Sequence, residues 1–326
     1  MVLFFTNDMK AQEFAREISQ FVGENAKPFL EPVVEGLNTN LHAGLFTMVN
    51  STEGLHIGVR IVGMGVFVPD ERKMFRPKPY SKVVEFTSNG IAFLGDLEIA
   101  PGEFPTAAGL SRKQTFTGRL KRVRPKGSPY VAGVYDFIQQ DATVTVGGYQ
   151  DLSTILLGTP QVSIGSLYGT ELVIRFLPTV RVENVGEVKS FGVGLKHNIS
   201  SHFSLPVDLT GQLMYQSLTL NANDKGYTAS LDASTFSGQF SISKTFPVGE
   251  IAGIAPYAGL GYESGTTDLR YEFADPYIGK QNLTFTSGSK FRLIGGVWSK
   301  IWKITLNADY NFAVMNGFSI GLGVEL

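Results

Sequence analysis

From about Gln161 to its last residue the chain alternates apolar and small polar residues with a period of two, and that pattern leaves few folds open. Val207, Leu209, Gly211, Leu213 and Tyr215 fall on one side of a strand, and Asp208, Thr210, Gln212 and Gln216 on the other. Phe236, Gly238, Phe240 and Ile242 oppose Ser237, Gln239, Ser241 and Ser243 in the same way. Successive strand residues point to opposite faces, so each segment makes a two-faced sheet. The polar face carries mostly Ser, Thr, Gly, Gln and Asn, whereas a sheet face washed by water usually carries Lys and Glu. A lumen fits such a face, and lipid fits the other.

No stretch of the chain approaches the ~20 consecutive apolar residues of a spanning helix, so any span must be made of strands. In hydrocarbon every backbone amide needs a partner, so the sheet must close on itself. Counting alternating segments predicts an all-β fold, an antiparallel transmembrane β-barrel of roughly 12–14 strands. The 37 Gly, 24 Phe and 12 Tyr, with only 17% charged residues, suit that wall. Trp302, Ile304, Leu306, Ala308 and Tyr310 read as an aliphatic row between two aromatics, opposite Lys303, Thr305, Asn307 and Asp309. The final alternating segment starts at Phe318, which with Trp302 and Tyr310 makes a lipid-facing girdle.

The N-terminal region has a different period. Phe14, Ile18, Phe21 and Val22 fall at helical spacing, and Pro28 can open a second short helix that Gly36 ends, with Phe29, Leu30, Val33 and Val34 on its apolar face. Residues 1–50 therefore read as a helical plug or cap and 51–326 as the barrel. The first wall strand is expected within Gly54–Val68, and long loops or inserted plug segments within 69–160, where prolines interrupt every apolar run. Phe14, Ile18, Phe21, Phe29 and Val33 need an apolar partner, and they are the candidates for a plug or hydrophobic pocket.

Arg60, Arg175, Lys196, Asp208, Arg292, Lys303, Asp309 and Glu325 fall on the less apolar face and are assigned to the lumen, because a charge at the lipid midplane costs ~2–4 kcal/mol. Their mixed signs point to internal pairing or a filled interior. The chain has no cysteine, and His42, His56, His197 and His202 show no metal-ligand spacing. No nucleophile elbow, phosphate loop or zinc-protease helix occurs, so no enzyme activity, metal or cofactor is expected. The densest cationic run is Arg112, Lys113, Arg119, Lys121, Arg122, Arg124 and Lys126. In a chain of net charge −1 it reads as a solvated loop or as contact with lipopolysaccharide phosphates, and no nucleic-acid partner is expected.

Four segments taken together carry a resemblance. They are Pro28-Phe29-Leu30-Glu31-Pro32 with Gly36-Leu37-Asn38, then Val66-Phe67-Val68-Pro69, then Gly169-Thr170-Glu171-Leu172 with Arg175-Phe176-Leu177-Pro178, and finally Gly192 to Ile199. The chain resembles an uncharacterised family of predicted Bacteroidetes-type outer-membrane proteins, which carries no assigned chemistry. Its layout is also similar to long-chain fatty-acid transporter barrels, in which an N-terminal hatch plugs the lumen. Those resemblances imply the bacterial outer membrane, with a signal peptide removed ahead of Met1. Passive uptake of a small hydrophobic molecule through a plugged lumen is the first expectation. A closed structural barrel that binds an envelope protein is the second.

Overall fold

The computed structural model describes residues 25–46, 55–78, 81–88, 90–99, 102–109, 114–129, 131, 140–146, 151–182, 186–203, 205–224, 227–249, 251–273 and 280–326. Phe14, Ile18 and Phe21, and the helix expected around them, lie outside these. Among the described residues one α-helix, α1 (Ala26–Leu41), precedes the strands. In chain order β1 (His56–Phe67) opens the wall. An excursion follows, carrying β2 (Met74–Phe75), β3 (Ser81–Ser88), β4 (Ile91–Ile99), β5 (Phe104–Pro105), β6 (Gln114–Pro125) and β7 (Gln140–Val146). The wall resumes with β8 (Thr154–Leu167), β9 (Thr170–Val182), β10 (Gly186–Asn198), β11 (Asp208–Asp224) and β12 (Tyr227–Ser243). The short β13 (Phe246–Val248) leads to β14 (Ala252–Phe273), β15 (Lys280–Ile301), β16 (Ile304–Phe312) and β17 (Gly317–Glu325).

Ten strands close an antiparallel ring: β1 pairs with β8 on one side and β17 on the other, and β12 pairs with β14. β13 continues the place of β12 along the lower end of β14. The count falls short of the expected 12–14 for two reasons. β14 and β15 have 22 residues each, twice what a tilted strand needs to cross a bilayer, so one strand absorbs what alternation alone divides. The strands expected in the obscure middle pair among themselves instead, as a separate sheet in the order β3-β4-β6-β7.

We call the end where the chain enters β1 and leaves β17 the lower rim, and the end carrying the excursion the upper rim. Outward residues form an apolar belt: Ile61, Leu195, Leu213, Phe240, Leu260, Phe291 and Leu322 are all exposed. Above the belt the long strands bear outward charge, where Arg270 donates to Asp232 at 3.0 Å and Thr284 to Asp268 at 2.7 Å. The apolar surface ends there. Near the upper edge of the belt Phe67 packs on Phe318 (5.6 Å) and Tyr310 on Phe312 (4.7 Å). Trp302 is not the first residue of a strand row, as the sequence suggests, because Ile301 pairs with Ile304 and leaves Trp302 and Lys303 as a two-residue turn. Lys303 accordingly lies outside the lumen, exposed, with its ammonium 5.6 Å from the Trp302 ring centre. Period-two parity predicts a face only while the strand lasts.

Of the cationic run, Arg112 and Lys113 lie outside the described residues, and the rest lies on or just after β6, where most of it is paired across the sheet. Lys121 pairs with Glu98 at 2.7 Å, Lys126 with Glu85 at 2.9 Å, and Arg122 and Arg124 both reach Asp96. Lys73, ahead of that sheet, bridges Asp70 and Asp151, and its hydrogen bond to Asp151 holds its ammonium pKa above the usual value.

Candidate functional site: the occupied lumen

The N-terminal segment threads the barrel from the upper rim downward. Asn25 clasps the excursion like a strand partner: its amide donates to the Lys78 carbonyl and accepts from the Lys78 N–H, both at 2.9 Å. From there α1 descends as one helix, carrying Pro32 in its interior and running on past Gly36 to Leu41. Gly36 is therefore not a C-cap. A Cβ at Gly36 would stand 2.4 Å from Cδ1 of Ile155, so glycine is there because the helix meets β8 without room for a side chain. The left-handed glycine expected past a helix end comes later, at Gly44 (φ +63°), where a Cβ would meet Val62 at 2.4 Å.

The lumen divides into two zones. In the upper one, Phe29, Leu30, Val34, Leu37 and Leu41 of α1 are buried at 0–4% exposure among Met64, Val66, Ile155, Leu157, Leu177, Leu218, Leu269 and Phe285 of the wall. Val33 packs against the same cluster, partly buried, and Phe29 also meets Phe75 of the excursion, 6.4 Å between ring centres. This is an apolar collar around a helix. Glu35 crosses it, pairing with Arg72 of the excursion and Lys290 of β15, and Thr267 donates to Asn38 at 2.9 Å.

Below the collar the inward residues turn polar, and three arginines hold the chain where the helix ends. The last carbonyls of a helix lack intrahelical donors and mark the negative end of its dipole, so cations belong there. Arg292 donates to the Thr39 carbonyl at 3.1 Å, to Asn311 at 3.1 Å and to Glu263 at 2.5 Å. Arg175 donates to the carbonyls of Leu41 (3.4 Å), Ala43 (3.1 Å) and Gly44 (2.6 Å), and to Gln161 and Gln216 on the wall. Arg60 reaches the carbonyls of Gly44 (2.7 Å) and Phe46 (2.9 Å). A guanidinium carries five donors in a rigid fork, which is why arginine can grip several carbonyls where a lysine could not. All three are at least 92% buried, and Gln216 also donates to Leu41. The Phe46 ring then stacks on Tyr257, 3.4 Å between centres, above Trp298.

Of the charges assigned to the lumen, Arg60, Arg175, Lys196, Arg292 and Asp309 all point inward and are buried. Lys196 pairs with Glu171 at 3.4 Å, and Asp309 accepts from Tyr257, Ser319 and Asn311 at 2.6–2.8 Å. Asp208 sits half-buried at the lower start of β11, and Glu325 near the lower rim pairs with Lys300 at 2.6 Å. The partners Gln161, Gln216, Glu35 and Gly44 are absent from the sequence-based site. Two of them had a sequence signal: Gln216 lies on the polar face of its alternating segment, and Gly44, two residues past His42, can end a helix as well as Gly36 can. Among the described residues the cavities around Arg60 and Arg175 are about 30 Å³ and 10 Å³, each room for only a water or so.

A family model described as a family of unknown function, DUF6588, matches residues 1–326, so the chain belongs to that family. No curated protein matches it. The translocator domain of the autotransporter NalP from Neisseria meningitidis is 11% identical, covering 92% of this chain and 96% of its own at a TM-score of 0.34. The transport unit of the autotransporter AIDA-I from Escherichia coli is 11% identical, covering 94% and 99% at 0.33. A loop-deletion mutant of OmpT, an outer membrane protein of Vibrio cholerae, is 11% identical over 84% and 98% at 0.21. Likenesses this distant add nothing to what the closed ring already establishes.

Proposed function

We propose that this member of DUF6588 is a bacterial outer-membrane barrel whose resting state is sealed by its own residues 25–46, and that it serves as a membrane anchor displaying the excursion domain of residues 69–153 at one rim. The apolar belt and closed ring support the membrane assignment: a closed barrel leaves no free edge, and a girdled apolar surface of this extent suits hydrocarbon. The observation that carries the sealed state is the hold of Arg175 on three plug carbonyls and two wall glutamines while only 2% exposed. A water-filled pore has no need of an apolar collar around its interior. The experiment is single-channel recording of the intact chain in planar bilayers. Silence is expected, and steady conductance overturns the sealed reading.

A second reading, passive uptake of a small hydrophobic molecule, draws on the collar itself. If α1 were to slide, Met64, Ile155, Leu157 and Phe285 would line an apolar path. Liposome uptake of a fluorescent hydrophobic probe, faster in Glu35→Gln than in wild type, would favour this reading; equal rates would leave the anchor.

A further inference from the structure

The geometry points to a two-histidine site for a borderline divalent transition metal, Zn²⁺ or Cu²⁺, at the lower rim, formed by His197 and His202. His197 lies near the end of β10 and His202 closes the 3₁₀ turn Ile199–His202 that follows. Nothing in the sealed-barrel reading uses either of them.

The two Nε2 atoms are 3.2 Å apart and the ring centres 5.1 Å apart. Two imidazole nitrogens bound to one tetrahedral ion at ~2.0–2.1 Å stand about 3.3 Å from each other, close to the separation of these two Nε2 atoms. The pair therefore already has the spacing of two adjacent ligands of one ion.

The supporting groups match what such a ligand needs. Thr170 Oγ1 lies 3.0 Å from His197 Nδ1, so an Nδ1–H can donate to it and leave the Nε2 lone pair free. The turn is held firmly. The Asn198 side chain accepts from the Ser200 N–H at 3.0 Å, Ser201 donates to the Asn198 carbonyl at 2.6 Å, and the Asn198 N–H donates to Gly169 at 2.8 Å. Ser200 Oγ accepts from the Leu209 N–H at 2.6 Å and donates to Val207, tying the turn to the start of β11. The His197 ring and the backbone that carries His202 are thus placed before any ion arrives. Among the described residues no cluster of three or more His, Asp or Glu joins them, so water or an external ligand fills the remaining positions. The spacing of five residues between the histidines hides the pair from sequence reading, since neither a helix nor a strand brings such positions together.

The test is titration of untagged, detergent-solubilised full chain with CuCl₂ and ZnCl₂ at pH 7.5, by calorimetry and by electron paramagnetic resonance for copper. One ion per chain with nitrogen hyperfine coupling is expected, weakened at least tenfold in His202→Ala, whose exposed side chain can go without harm to the fold. His197→Ala should weaken binding as much. Absence of binding at 100 µM metal, or affinity unchanged in His202→Ala, overturns the site and leaves the pair a hydrogen bond between two rings.

Discussion

The upper and lower halves of the lumen hold the same chain segment by opposite physics. In the collar, α1 is fixed by shape and apolar burial, with Phe29 at 0% and Leu37 at 4% exposure among aliphatic wall residues. In the socket, residues 39–46 are fixed by charge-assisted hydrogen bonds from Arg60, Arg175 and Arg292. Dispersion and apolar transfer do not depend on direction, so a collar seals but does not position. Hydrogen bonds with defined geometry position but do not seal, since water can replace them. The two together enclose residues 25–46 and fix their register inside the ring.

Substitutions separate the two contributions, and the largest effect belongs to the collar. Leu37→Asp places a carboxylate among aliphatic side chains with no cation assigned to it, and should destabilise the folded barrel by more than ~4 kcal/mol. The check is the temperature at which the barrel unfolds on an unboiled gel; an unchanged temperature would mean that α1 can leave the collar freely. Arg175→Met comes next, at about 2–4 kcal/mol against docking of residues 39–46, because the Leu41, Ala43 and Gly44 carbonyls each lose a donor, Leu41 keeping Gln216 and Gly44 keeping Arg60, while water can still enter a polar socket. Hydrogen exchange should rise in residues 41–46 and stay slow in 29–37; equal exchange in both would erase the distinction between the zones. Gly36→Val is the smallest, about 1–3 kcal/mol from overpacking against Ile155, and Ile155→Ala in the same chain should recover part of it. Simple addition of the two losses would show that the helix does not meet β8 there.

Within the belt the outward half of the wall strands was readable because its apolar residues alternate strictly with polar or small ones. Leu213, Phe240, Leu260 and Ile320 alternate without a break, and the structure exposes each of them. The inward half was readable only where it is polar. Leu218 and Leu269 are apolar on the inner face while Ser217, Thr219, Asp268 and Arg270 lie on the outer one, so in the upper part of the long strands the two faces exchange polarity. That is where the strand boundaries and the strand number went astray. The lumenal charges followed parity correctly along β1, β9, β10, β15 and β16. Lys303 failed because a two-residue turn interrupts parity at that point.

Sequence alone determined that the chain forms strands with one lipid-compatible face, and hence that they close into a ring, because period and backbone satisfaction are local or universal constraints. It also determined that charged residues on the opposite face need partners. Tertiary structure decided the rest: ten strands rather than more, a helix from Ala26 that runs past Gly36 to Leu41, and which carbonyls the three arginines grip. It likewise decided that His197 and His202 converge. These depend on contacts between positions as far apart as Thr39 and Arg292, separated by 253 residues, and no periodicity encodes a meeting at that range.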